Sequence, residues 1–99
     1  MPLSFFMQKQ TDKLSKRVRI VNTLGLHARA AAQIAQIARK AQFGVTVAKN
    51  DLKADASSII DILTLNGSKG STLTFEIERP SDHKILDELV VLVENGFGE

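Results

Sequence analysis

The sequence predicts a two-layer α+β domain with helices packed over a sheet. Three observations lead there. Short segments are β-branched or alternate apolar and polar residues, two longer segments repeat apolar residues at helical spacing, and glycine, asparagine or proline signals separate them. With 99 residues, 43% of them hydrophobic, the chain can build one core but not an elaborate substrate pocket for multi-step catalysis.

The elements read in order. Arg17 to Val21 is a β-branched run ended by the Asn22 to Gly25 turn, which predicts a strand. From Ala28 to about Ala41 the pattern is helical: Ala31, Ile34, Ile37, Ala38 and Ala41 share one face, and Arg29, Gln33, Gln36 and Lys40 another. Gly44 follows as a stop signal. Val45 to Val47 alternates as a strand does, and Lys49 to Asp51 turns the chain into a shorter strand at Leu52 to Asp55. Ser57 or Ser58 caps a short helix that carries Ile59, Ile60, Ile62, Leu63 and Leu65, and Asn66-Gly67 ends it. Ser71 to Ile77 alternates with Leu73, Phe75 and Ile77 inward, a half-buried strand. Pro80-Ser81 opens the last helix, Ile85, Leu86, Leu89, Val90, Leu92 and Val93 form its apolar face, and Gly96 closes it. No internal repeat, low-complexity tract or long linker interrupts this order.

Ahead of these elements, residues 1–15 read as a poorly ordered N-terminal extension and residues 16–99 as the domain. The patch Phe5-Phe6-Met7 is too short to span a bilayer, and no positive charges precede it as they would in a secretory signal. No cysteine is present, which excludes a disulfide framework, thiolate chemistry and a cysteine-based zinc site, and fits a cytoplasmic home. The net charge of +2 divides into a basic front, Lys9 to Arg19, and an acidic back formed by Asp82, Asp87, Glu88, Glu94 and Glu99. Scattered charges of this kind read as solvated faces rather than a nucleic-acid footprint. His83, beside Asp82 and without an arginine nearby, reads as a surface residue, and no metal site is expected because further ligands at suitable spacing are missing.

The chemistry concentrates in Gly25-Leu26-His27-Ala28-Arg29, where a strand-like segment gives way to the alanine-rich helix. Unpaired backbone N–H groups and a partial positive charge at a helix start oppose a protonated ring and welcome an anion. A neutral His27 there keeps a ring nitrogen free to attack phosphorus. The backbone amides of Ala28, Arg29 and Ala30 are placed to bind the oxygens of the group that arrives, and the guanidinium of Arg29 matches them with its fork. Histidine is also a poor helix cap beside Ser, Thr, Asp or Asn, so its placement carries little structural reward. These residues predict a transient phosphoryl acceptor.

The run Val21 to Ala32, with Asn22-Thr23-Leu24-Gly25-Leu26-His27-Ala28-Arg29 at its centre, resembles the active-site signature of HPr, the histidine-containing phosphocarrier of the bacterial phosphotransferase system. Ser57 to Leu63 resembles that family's regulatory serine segment, and Gly67-Ser68-Lys69-Gly70 the turn before its last strand, so residues 16–99 are covered. Ala30 departs from the proline common in the family; alanine keeps the helix and restores one N–H. The resemblance implies an open-faced β-sandwich, a four-stranded antiparallel sheet with three helices on one face in the order β-α-β-β-α-β-α. It further implies a carrier rather than a free-standing enzyme. That carrier is cytoplasmic and monomeric, uses no cofactor, and receives a phosphoryl group on Nδ1 of His27 from Enzyme I and ultimately phosphoenolpyruvate. It passes the group to IIA-type proteins in sugar uptake or a related regulatory branch. Ile59, Ile60 and Leu63 either complete the core or, as the resemblance implies, dock these partners. Ser58, with Ser57 as neighbouring competitor, aligns with the serine modified by an HPr kinase/phosphorylase.

A reading from another class is a small RNA-binding module, because Gly67 to Gly70 matches the GXXG loop of KH domains. That loop joins two helices in KH domains but leads into a strand here, and the sheet offers only Phe75 for base stacking.

Overall fold

The computed structural model describes residues 14–99. Strand β1 (Ser15–Arg19) is followed by helix α1 (Ala28–Ala38), strands β2 (Val45–Lys49) and β3 (Leu52–Asp55), and the short helix α2 (Ile59–Leu63). Strand β4 (Thr72–Ile77) and helix α3 (His83–Glu94) complete the order, with single 3₁₀ turns at Pro80–Asp82 and Gly96–Gly98 on either side of α3. The sheet runs β1-β4-β2-β3, and all its pairings are antiparallel.

Register explains why one face of the sheet is apolar. Residues directly opposite in an antiparallel pair share a face, and Val18 lies opposite Leu73 while Val47 lies opposite both Phe75 and Ala54. All of these are buried beneath the helices. The other face carries Arg17, Thr74, Lys53, Thr46 and Glu76, and it is open to solvent or nearly so. The predicted alternation in β4 therefore holds, and the fold is the open-faced sandwich with its three helices on one side. Ile34 of α1, Ile62 of α2, and Leu86, Leu89 and Val93 of α3 fill the layer above Phe75. Burying each such side chain stabilises the fold by about 1.5–3 kcal/mol.

Several boundaries move from their sequence expectations. β1 starts at Ser15 rather than Arg17, and Leu14 accepts a hydrogen bond from the Ile77 amide at 2.9 Å. Ser15, assigned above to the extension, thus belongs to the sheet, and Leu14 just before it is bonded to β4. Residues 1–13, including Phe5, Phe6 and Met7, lie outside the described residues. α1 ends at Ala38 rather than Ala41 because its last turn tightens: the amides of Lys40 and Ala41 bond to the carbonyls of Ile37 and Ala38 at 3.0 and 3.1 Å. The next two amides, of Gln42 and Phe43, donate to the two carboxylate oxygens of Asp82, each at 2.9 Å. Asp82 is consequently buried, a correction to its reading as part of a solvated acidic face. It replaces water as the partner for N–H groups beyond the helix end.

Candidate functional site

The site begins as a problem of chain geometry. Beyond β1, Ile20 exchanges hydrogen bonds with Gly70 and Ser71 at 2.8 Å, so the start of the loop is fastened to the turn before β4. Gly25 then lies in the left-handed region at φ 64°, and a Cβ there would meet the Gly67 carbonyl oxygen at 2.5 Å. Only glycine allows that approach. Leu26, buried, donates to the same carbonyl at 2.9 Å and sends the chain into α1.

His27 is the N-cap residue of α1, extended at φ −78° and ψ 176°, and its side chain caps nothing. The first helical bond runs from the Ala31 amide to the His27 carbonyl at 2.9 Å. The amides of Ala28, Arg29 and Ala30 consequently have no carbonyl one turn back within the helix. Ala30 has no exposed surface, however, so an approaching anion meets the amides of Ala28 and Arg29. This narrows the three-amide cradle expected from sequence: the third residue of the turn is already packed against the core. The Arg29 side chain is 68% exposed.

One residue of this corner was not foreseen. Glu99 reaches His27 from 72 positions away, with Oε2 on Nε2 of the imidazole and 3.6 Å from Nη2 of Arg29. Its other oxygen accepts from Nδ2 of Asn22 at 3.0 Å, and the same Asn22 nitrogen donates to the Gly25 carbonyl at 2.9 Å. The hydrogen bond from Asn22, followed by that from His27 and the positive charge of Arg29, holds the Glu99 carboxyl below its ordinary value of 4.5. Glu99 had been grouped with solvated acids because charge spacing says nothing about a chain reversal. The available signal was Gly96-Phe97-Gly98: all three residues are left-handed, at φ 63°, 60° and 77°, and Phe97 is buried as an anchor. Asn22, part of the turn and of the run that carries the family resemblance, is buried and ties the turn to Glu99.

Helix α2 packs against α1. Ser58 is its N-cap, accepting from the Asp61 amide at 3.3 Å, whereas the Ser57 hydroxyl donates to Asp55 at 2.7 Å. Those bonds from Ser57 hold the Asp55 carboxyl below its ordinary value. Of the three residues assigned to docking, Ile60 is 75% and Leu63 38% exposed. Ile59 differs: it is half-buried and packs on the core, because a helix one turn long turns its first residue partly inward. Leu24, three residues before His27, is 65% exposed and adds apolar surface that the sequence reading overlooked.

His83 is exposed, with Nδ1 3.5 Å from Asp87. Among the described residues no three ligating side chains gather, and no helix is long and apolar enough to cross a membrane. The RNA reading loses its stacking platform, since Phe75 is wholly buried. The Gly67 to Gly70 turn connects α2 to β4, not two helices.

Comparison with known proteins places this architecture. Residues 14–95 match the family described as PTS HPr component phosphorylation site. Phosphocarrier protein HPr of Cupriavidus necator is 38% identical over 86 residues, 87% of this chain and 97% of the relative. Phosphocarrier protein NPr of Shewanella violacea is 36% identical over 87 residues, 88% and 96% of the two chains. The crystal structure of HPr-C-His from Thermoanaerobacter tengcongensis superposes with a TM-score of 0.80 at 35% identity, covering 86% of this chain and 96% of that one. The class common to these matches is a small phosphocarrier domain of the phosphotransferase system. The chain belongs to the HPr family.

Proposed function

We propose that His27 is the phosphoryl-accepting residue of this phosphocarrier, receiving the group from Enzyme I and handing it to IIA-type proteins. One observation carries the reading: a histidine caps α1 without using its side chain as a cap, beside an exposed arginine and two accessible first-turn amides. In the reaction a lone pair of the His27 ring attacks phosphorus in line with the bond to the donor. Arg29 and the amides of Ala28 and Arg29 meet the charge on the equatorial oxygens. Beyond the bond that His27 itself forms to phosphorus, the protein supplies positioning and charge. Ile60, Leu63 and Leu24, all exposed, supply apolar surface against which a donor or acceptor can exclude water.

Incubation with Enzyme I and phosphoenolpyruvate, followed by mass spectrometry, tests the assignment. Label should appear on His27 and vanish in His27→Ala; label elsewhere, or none, would refute it. Ser58 is proposed as the regulatory site for an HPr kinase/phosphorylase. A phosphate there adds roughly −1.5 to −2 charges near Asp61 and beside the apolar docking patch, opposing acidic partners without unfolding α2. Ser58→Asp should slow transfer from Enzyme I while Ser57→Asp leaves it nearer the native rate.

A further inference from the structure

Strand β2 ends in a lysine whose side chain serves another element. Lys49 lies opposite Leu52 across the two-residue turn Asn50-Asp51, so its backbone is held by the β2–β3 hairpin. Its ammonium donates to two successive carbonyls, those of Leu65 and Asn66, each at 3.1 Å. These residues follow the end of α2, where backbone oxygens lack helical partners and a lysine can supply them. Asn66 itself turns the chain out of α2 in the left-handed region, at φ 53°.

The next residue is Gly67, and the His27 turn rests on its carbonyl. Leu26 donates to that oxygen at 2.9 Å, and Gly25 comes so near that a Cβ would lie 2.5 Å from it. Gly67 has no slack on its own side either, since a Cβ there would meet side-chain carbons of Leu26 and Ile20 at 2.8 and 2.9 Å. Ile20 is bonded in turn to Gly70 and Ser71. Residues 65–71 and 20–27 thus form one interlocked block. Among the described residues, Lys49 is the one side chain outside residues 65–71 that hydrogen-bonds that segment.

We propose that Lys49 is a positioning residue for phosphoryl transfer: by clasping the Leu65 and Asn66 carbonyls it fixes the Gly67 carbonyl, and through it the turn that aims His27. The proposal rests on His27 being the phosphoryl acceptor. Two carbonyls on one ammonium fix the tilt of the segment as well as its distance from β2. An apolar side chain of similar length would leave both oxygens to water and release that tilt. Transfer is sensitive to such a change, because a misplacement of about 1 Å far from the chemistry can cost roughly a hundredfold in rate.

Two measurements on the full chain test this, with Lys49→Met keeping the stem and removing the ammonium. Hydrogen exchange needs no donor: the Leu26 amide, bonded to the Gly67 carbonyl, should exchange roughly tenfold faster in the variant, with the Phe75 amide as the reference for global unfolding. With Enzyme I and phosphoenolpyruvate, kcat for labelling of His27 should fall roughly tenfold while KM stays within about twofold. Lys49→Arg, whose fork offers N–H groups to the same two carbonyls, should recover both readouts. Asp82→Ala, which removes a fastening beyond the other end of α1, should lose stability without slowing transfer. Native Leu26 exchange or native kcat in Lys49→Met overturns the proposal, as does an Arg variant no better than Met, or an equal fall of kcat in Asp82→Ala. Should the Met variant not fold, Lys49→Gln, with amide donors for one carbonyl, must show an intermediate effect in both readouts, and native behaviour there overturns the proposal too. Absence of phosphohistidine in the native chain would instead overturn the relay itself, while Leu26 exchange still reads the clasp.

Discussion

Gly25 shows how one residue without a side chain sets the direction of one with chemistry. Its φ of 64° costs an L-residue about 1–2 kcal/mol, and a Cβ would press on a backbone oxygen that cannot swing away. Gly25→Ala should therefore destabilise by about 2–3 kcal/mol in urea unfolding, and the residual folded protein should transfer poorly because the His27 turn has shifted. Glu99 offers a second test at this scale. Its folded-state carboxyl titrates below 4.5, so the contact with His27 and Asn22 is present above that value and is lost as pH falls through the depressed midpoint. A carbon-13 titration of the Glu99 carboxyl should place its midpoint below 4.5. In Asn22→Ala it should move back up, because the Asn22 hydrogen bond is the largest cause of the depression.

Among the elements, α1 carries the site at one end and a structural fastening at the other. Its N-terminus is left without a side-chain cap, which exposes two amides to an anion. Beyond its C-terminus, Asp82 satisfies the amides of Gln42 and Phe43 and so locks the entry into β2 onto the turn before α3. Hydrogen bonds to a charged acceptor contribute about 1.5–3 kcal/mol each. Asp82→Ala should accordingly cost about 3 kcal/mol, read as a lowered denaturant midpoint, while leaving the phosphoryl-transfer rate of the folded fraction unchanged. Ser58→Ala should cost about 1 kcal/mol, the usual value of an N-cap. The helical spacing of α1 was legible from Ala31, Ile34 and Ala38, which are all buried. Its last turn was not: the chain tightens through the Lys40 and Ala41 amides, and the two amides just beyond it bond to Asp82, some forty positions away.

At the scale of the molecule, stability and recognition occupy different faces. Phe75 is wholly buried at the centre of the sheet's inner face, whereas Ile60 stands 75% exposed above α2. Phe75→Ala should lose about 3–5 kcal/mol, a large share of the 5–15 kcal/mol typical of a domain. Ile60→Asp should change stability by less than about 0.5 kcal/mol and yet weaken binding to Enzyme I, measured by calorimetry or NMR titration. Acid should destabilise the fold: Asp87, held below its ordinary value first by Lys16, joins Asp55 and Glu99 as a group depressed when folded. Each contributes above its unfolded value and loses that contribution as pH falls.

By itself the sequence determined what depends on neighbours along the chain: the alternation of Leu73, Phe75 and Ile77, the helical faces of α1 and α3, the glycine turn before His27 and the pairing of His27 with Arg29. Local periodicity and turn chemistry encode these directly. Tertiary structure alone decided the strand order, the burial of Asp82, the inward lean of Ile59 and the arrival of Glu99 at the imidazole. Each of these depends on which distant segments the packed core brings within a few ångströms. A hydrogen-bond partner 72 residues away leaves no periodic trace in the chain that supplies it.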